Sequence, residues 1–238
     1  MIFFLIRHGD PIYHPDSLTE LGHKQAAALV ERFQKFGLDE IYSSTSIRAQ
    51  MTAQPTAEAL GLEIQLCPWA HENLVLADMS VVCPDGKSRW AFGQQYIKEQ
   101  FNLPDVLALG EKWYTHPLFA DTQFAAGEER MDREVDEFFL RLGLRHDRVN
   151  NCYEKVAETK ERVALFAHQG FGLSFLSSVV GIPYPLVATH MNVSHSSVTV
   201  IHFDESQPKI FARILQLAND SHLYHNDLLT GYNNGIKF

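Results

Sequence analysis

Residues 1–11 read MIFFLIRHGDP. Five apolar residues, Ile2 to Ile6, run straight into Arg7, His8 and Gly9. A short, unbroken apolar run fits a strand buried on both faces. Such a strand is a rigid post, and the arginine and histidine stand at its carboxyl end. In open parallel sheets that is the edge where ligands bind.

Working outward, a helical stripe of Ala26, Leu29, Val30 and Phe33 predicts a helix from about Ser17 to Phe36, capped by Ser17 or Thr19 and stopped at Gly37. EIYS (40–43) reads as a strand, SIRAQMTAQPTAEAL (46–60) as a helix disturbed near Pro55 and stopped at Gly61, and EIQLC (63–67) as a strand. After residue 160, RVALFA is a strand, GFGLSFLSSVV a helix, and SSVTVIHF and KIFARILQL two more strands. Alternation of this kind predicts an α/β fold with a mainly parallel central sheet and helices on both faces.

From about 68 to 160 the alternation stops. SRWAFGQQYIKEQF, DVLALGEKWY and EERMDREVDEFFLRL are candidate helices there. The outer parts each lack enough strands for a sheet. The expectation is therefore one domain over residues 1–238 with a helical cap insertion over about 68–160, lying above the site.

Composition narrows the function. A net charge of −9, from 20 Lys and Arg against 29 Asp and Glu, repels nucleic acid and anionic membranes, and no local basic patch overrides it. An anionic small molecule would have to be drawn in by a few arginines inside a cleft. The three cysteines form no C-x-x-C pair and suit a reducing cytoplasm better than a disulfide framework. MIFFLI is too short for a signal-peptide core, and no run approaches a membrane span. The expected localisation is cytoplasmic. No cofactor and no metal are indicated, since no H-x-x-x-H or mixed His/Asp spacing occurs on one element.

The predicted strand ends collect a particular set. They carry Arg7 and His8, then Arg48 near a helix N-terminus, then Glu72, then His168. Guanidinium forks match phosphoryl oxygens, and the N-terminus of a helix favours an anion. A neutral imidazole can take the phosphoryl group covalently, and a carboxyl group can protonate the leaving oxygen and then activate water. Taken singly each residue has an ordinary reading: a surface histidine, a solvated glutamate, an arginine on a helix face. Their shared location carries the argument.

These residues resemble the histidine phosphatase superfamily, also called phosphoglycerate mutase-like. LIRHG (5–9), LTELGHKQA (18–26), YSSTSIRAQMTA (42–53), FAHQG (166–170) and NDSHL (219–223) carry the likeness over both outer thirds of the chain. The resemblance implies His8 as the phosphate-accepting nucleophile, Arg7, Arg48 and His168 as the phosphate pocket, and Glu72 as proton donor, with Asp78 as its substitute. Gln169 follows His168 where the phytase branch has an aspartate, which indicates the first branch. HD at 146–147 is set aside, because it is expected in a helical, charged stretch.

Departures bear on the reaction. Asp10, Pro11 and His14 stand where mutases have Glu-Ser or Glu-Thr and an asparagine, and no segment like RLNERHYG occurs. This favours hydrolysis of a small phosphorylated metabolite over phosphoglycerate mutase activity, and the full set of Arg7, His8, Arg48 and His168 argues against non-catalytic phospholigand binding. His14 either contacts phosphate or is solvated. Gln169 either adds an amide to the pocket or caps the next helix. Trp90, Phe92, Tyr96, Trp113, Tyr114 and His116 either line a leaving-group site or form the cap's own core, the second being the ordinary outcome.

Overall fold

The computed structural model describes all of residues 1–238. Its central sheet comprises β1 (Ile2–Arg7), β2 (Glu40–Ser44), β3 (Ile64–Cys67), β4 (Arg162–Ala167), β5 (Val198–Phe203) and β6 (Ala212–Asn219). Their order is β6-β5-β1-β4-β2-β3. The pairs β1/β4, β4/β2 and β2/β3 are parallel, whereas β5 runs antiparallel to β1 and to β6. The sheet is mainly parallel, as the alternation of elements implied.

Burial on both faces explains the opening run. Phe3 and Leu5 enter one apolar cluster, while Phe4 and Ile6 enter another on the opposite face. Helices α1 (Glu20–Phe36) and α2 (Ile47–Leu60) cover the Phe4 face through Leu29, Phe33, Ala53 and Ala57. A short α3 (Glu72–Asp78) follows β3. On the Phe3 face lie α4 (Phe124–Arg141) and α5 (Gln169–Val180). There the Phe3 ring packs among Phe138, Phe139 and Phe175, with ring centroids 5.3–6.0 Å away. Each such fully buried ring contributes about 2–3 kcal/mol of transfer free energy.

The helix ends follow local chemistry. Thr19, not Ser17, caps α1: its Oγ1 accepts the Gly22 N–H at 3.0 Å. Asp16–Leu18 instead forms a strand against Pro11–Tyr13, so the helix begins three residues later than the stripe suggested. Helix α2 continues through Pro55, held by Ala53 and Ala57 in the core, and ends at Gly61 in the left-handed conformation.

Residues between β3 and β4 add no strand to the central sheet. They are less helical than expected. Ser80–Val82 pairs with Ser88–Trp90, so SRW is a strand and the helix starts only at Gln95. DVLALGEKWY splits into a turn of helix, Pro104–Leu107, and a 3₁₀ segment, Gly110–Thr115. Leu144–Asp147 pairs with Cys152–Lys155, so HD at 146–147 lies on a hairpin strand rather than in a helix. Gly143 at φ 91° breaks α4 just before it.

Candidate active site

Register brings the site together. Arg7 pairs with Ala167 and Phe166 with Ser43, so β1, β4 and β2 end side by side. His8 and His168 are the next residues on the two central strands. The His8 N–H donates to Ala167 O at 2.9 Å, and the two imidazole centroids lie 5.2 Å apart. Residues 160 apart in the chain thus become neighbours through one parallel pairing.

The loop after β1 is held backbone to backbone against α1. A Cβ on Gly22 would stand 2.3 Å from Asp10 O, and one on Gly9 2.7 Å from Gly22 O, so both positions require glycine. The Gly9 N–H donates to Thr52 Oγ1 at 2.9 Å, and that hydroxyl donates to Arg48 O at 2.7 Å. The histidine loop and the second arginine are therefore tied by one threonine.

His8 is almost fully buried, and its Nδ1 lies 2.7 Å from Gly9 O. A carbonyl only accepts, so Nδ1 carries the proton and Nε2 keeps the lone pair. Burial is the main reason the His8 pKa falls well below 6.5, reinforced by His168 and Arg7. The ring is thus neutral at neutral pH.

Arg7 is buried, donating from Nη1 to Val193 O at 2.6 Å and from Nη2 to Asn233 Oδ1 at 2.7 Å, and burial lowers its pKa to about 10. Arg48 donates from Nη1 to Asp16 Oδ1 at 2.8 Å and from Nη2 to His168 Nδ1 at 3.2 Å. The other nitrogen of His168 lies 2.8 Å from Ser44 Oγ. His168 is held neutral by burial and by Arg48, and it stands behind Arg48 rather than on the cavity wall.

A cavity of about 1080 Å³ opens over this group, lined by Arg7, His8, His14, Arg48, Glu72 and Gln169 among others. The Glu72 oxygens accept the N–H groups of Gly170 and Phe171, each at 3.0 Å, in the first turn of α5. Burial raises its pKa above 4.5 despite those two hydrogen bonds. Asp78, the other carboxyl considered, is absent from the lining and pairs with Arg130 at 2.6 Å. His14 is exposed at the rim. Gln169 makes no cap; its Nε2 donates to Asn192 Oδ1 at 2.6 Å.

The aromatics divide. Trp113 and Tyr114 are buried, Trp113 among Phe101, Phe119, Phe124 and Tyr184, whereas Trp90 and Phe92 line the cavity. Four participants escaped the sequence reading. Asp16 accepts the Ile47 N–H at 2.7 Å, so a carboxylate of the chain already occupies the helix N-terminus beside Arg48. Asn233 accepts from both Arg7 and His195, and the His195 ring lies 6.0 Å from that of His8. Asn192 holds Gln169. Polar residues in loops and near the carboxyl end leave no periodic signal. No group of three or more His, Cys, Asp or Glu is placed to hold a metal ion, and no helix is long and apolar enough to cross a membrane.

Residues 3–74 match the sequence model of the histidine phosphatase superfamily (branch 1). Over that segment the chain is similar to the superfamily. A relative described as probable phosphoglycerate mutase GpmB of Yersinia pestis is 24% identical over 229 residues, covering 92% of each chain. Among solved structures, a mycobacterial glucosyl-3-phosphoglycerate phosphatase with inorganic phosphate superimposes with a TM-score of 0.56 at 19% identity, covering 93% of this chain and 98% of that one. An Entamoeba histolytica phosphoserine phosphatase mutant in complex with phosphoserine gives 0.59 at 17% identity, with the same coverage. A putative alpha-ribazole-5'-P phosphatase from Escherichia coli gives 0.57 at 20%, covering 92% and 98%. These superpositions extend the shared fold beyond the matched amino-terminal segment.

Proposed function

We propose that the protein is a phosphoric monoester hydrolase that works through a phosphohistidine on His8, with residues 68–160 as the cap over its site. The observation that carries this reading is the Nδ1–Gly9 O hydrogen bond, which leaves Nε2 of a neutral, buried imidazole unprotonated in a cavity that Arg7 and Arg48 also line. Nε2 attacks phosphorus as the P–O bond to the leaving group breaks, and Glu72 gives its proton to that oxygen. Arg7 and Arg48 take up the charge spread over the phosphoryl oxygens. His168, bonded to Arg48, orients that guanidinium and adds its ring beside His8. In the second step Glu72, now ionised, accepts a proton from water, the hydroxide attacks phosphorus, and the Nε2–P bond breaks to release phosphate.

Gln169 and His14 extend the site toward the rest of the substrate, a small phosphorylated metabolite. Hydrolysis is favoured over the mutase reaction because the wall offers no second free guanidinium fork: Arg89 is held by both oxygens of Asp85 at 2.6 and 2.7 Å, which leaves Lys98 as a lone point charge there. Incubation with p-nitrophenyl phosphate, and separately with 3-phosphoglycerate and a bisphosphate primer, tests both points. Phosphate release outrunning isomer formation is expected. Isomer formation in excess makes it a mutase, and no turnover of either leaves a phospholigand-binding protein.

A further inference from the structure

The strand-and-turn segment after α3 puts one aromatic ring against the proton donor's anchor. A Cβ on Gly170 would lie 2.3 Å from Trp90 Cη2 and 2.7 Å from Cζ3, so the Trp90 ring packs directly on the Gly170 backbone. The N–H of that same residue is bound by Glu72 at 3.0 Å. Any leaving oxygen that Glu72 protonates therefore departs beside Trp90. Phe92 stands next to the ring, with centroids 5.1 Å apart and planes 33° apart, and both line the cavity.

Away from the Arg7, Arg48 and Glu72 group, most polar residues that line the cavity are uncharged. One N–H of Gln169 Nε2 goes to Asn192 Oδ1, which leaves its second N–H and Asn192 Nδ2 as donors and Gln169 Oε1 as an acceptor on the cavity wall. Asn73, Ser88 and Gln94 line the same cavity. Beyond Arg7 and Arg48, the cations of the lining are Arg89, paired with Asp85, and Lys98, which has no carboxylate partner. Paired donors and acceptors suit hydroxyls, each of which both gives and accepts a hydrogen bond. With Gly170 against one face of Trp90 and Phe92 tilted 33° to it, the half-exposed aromatic surface suits the apolar face of a saturated ring and provides no parallel slot for a nucleobase.

Resting on the hydrolase reading, we infer that Trp90, with the Gln169–Asn192 amide pair, forms a leaving-group subsite for a neutral polyhydroxylated ring, so that the substrate class is a sugar monophosphate.

The test measures kcat/KM for hexose monophosphates, glycerol 3-phosphate and adenosine monophosphate with the wild type and Trp90→Leu, together with calorimetric binding of glucose 6-phosphate and of inorganic phosphate. A hexose phosphate is expected to exceed both other esters at least tenfold, and Trp90→Leu to reduce the hexose-to-glycerol ratio about tenfold. A ratio unchanged by Trp90→Leu, or preference for the nucleotide, overturns the subsite while leaving hydrolysis intact. If no ester, p-nitrophenyl phosphate included, is turned over, the hydrolase reading fails. The subsite then stands or falls on binding: glucose 6-phosphate at least tenfold tighter than phosphate, and weakened by Trp90→Leu, supports it, and equal affinity removes it.

Discussion

Glu72 and Gly170 meet at 3.0 Å, a carboxylate oxygen accepting the backbone N–H in the first turn of α5. The carboxyl group is thereby fixed on the same helix that follows His168. Two residues near the ends of different strands are held in one frame by a main-chain hydrogen bond.

That geometry sets a pH profile. Burial lifts the Glu72 pKa above 4.5, and burial together with His168 and Arg7 drops the His8 pKa well below 6.5. In the proposed mechanism the reactive form has Glu72 protonated and His8 neutral. Activity is then lost on the acid side as His8 gains a proton below its lowered pKa, and on the alkaline side as Glu72 ionises above its raised one. Glu72→Gln is expected to lower kcat by about 10²- to 10⁴-fold on alkyl phosphates and to remove the alkaline limb. Asp78→Asn, which loses only the Arg130 pair, keeps that limb. Profiles of kcat/KM from pH 3 to 9 check both outcomes, and a rate rising steadily into alkali contradicts the assignment.

The proposed nucleophile can be trapped. Wild-type protein mixed with labelled phosphoester and quenched in alkali is expected to retain phosphate on His8, because phosphohistidine survives base and is lost in acid. His8→Ala should retain none, and its turnover should fall by about 10³-fold or more, the range expected when a covalent route is removed. Label elsewhere in the chain, located by peptide mapping, rules His8 out as the acceptor.

Arg48→Lys separates shape from charge. The fork now serves Asp16 and His168 at once, which an ammonium point charge cannot reproduce. A fall in kcat/KM of about 10–100-fold, with weaker inhibition by inorganic phosphate, is the expected result. Kinetics equal to wild type remove Arg48 from the phosphoryl site.

The sheet's other face gives a stability test. Phe139 is fully buried and its ring lies 5.0–6.1 Å from those of Phe3, Tyr153, Phe175 and Phe203. Phe139→Ala should cost about 3–5 kcal/mol through lost burial and the cavity left behind. For a chain of this size that is a fall in Tm of roughly 10 °C, read by thermal denaturation.

How far the sequence could be read depends on the residue. Strand β1 was legible because both its faces are buried, which writes an unbroken apolar run; Leu29 and Phe33 reported α1 because one face of that helix is buried. The hairpins at 80–90 and 144–155 were misread as helical. Each is short and half-exposed, and its pairing partner lies across a turn, so Val82, Arg89 and His146 leave no alternation strong enough to oppose the surrounding helical composition. Among site residues, Arg7, His8, Arg48 and His168 announced themselves by standing after predicted strands. Asn233, near the carboxyl end, had no such marker and is joined to Arg7 only through the folded chain.

By itself the sequence determined which side chains stand at the strand ends, because apolar runs and helix stripes report burial and burial fixes the elements. Only the tertiary structure decided which of them touch. The parallel register sets His8 beside His168, Glu72 rather than Asp78 reaches α5, and Trp90 closes on Gly170, since each contact joins segments whose meeting depends on packing between elements and leaves no local pattern in the chain.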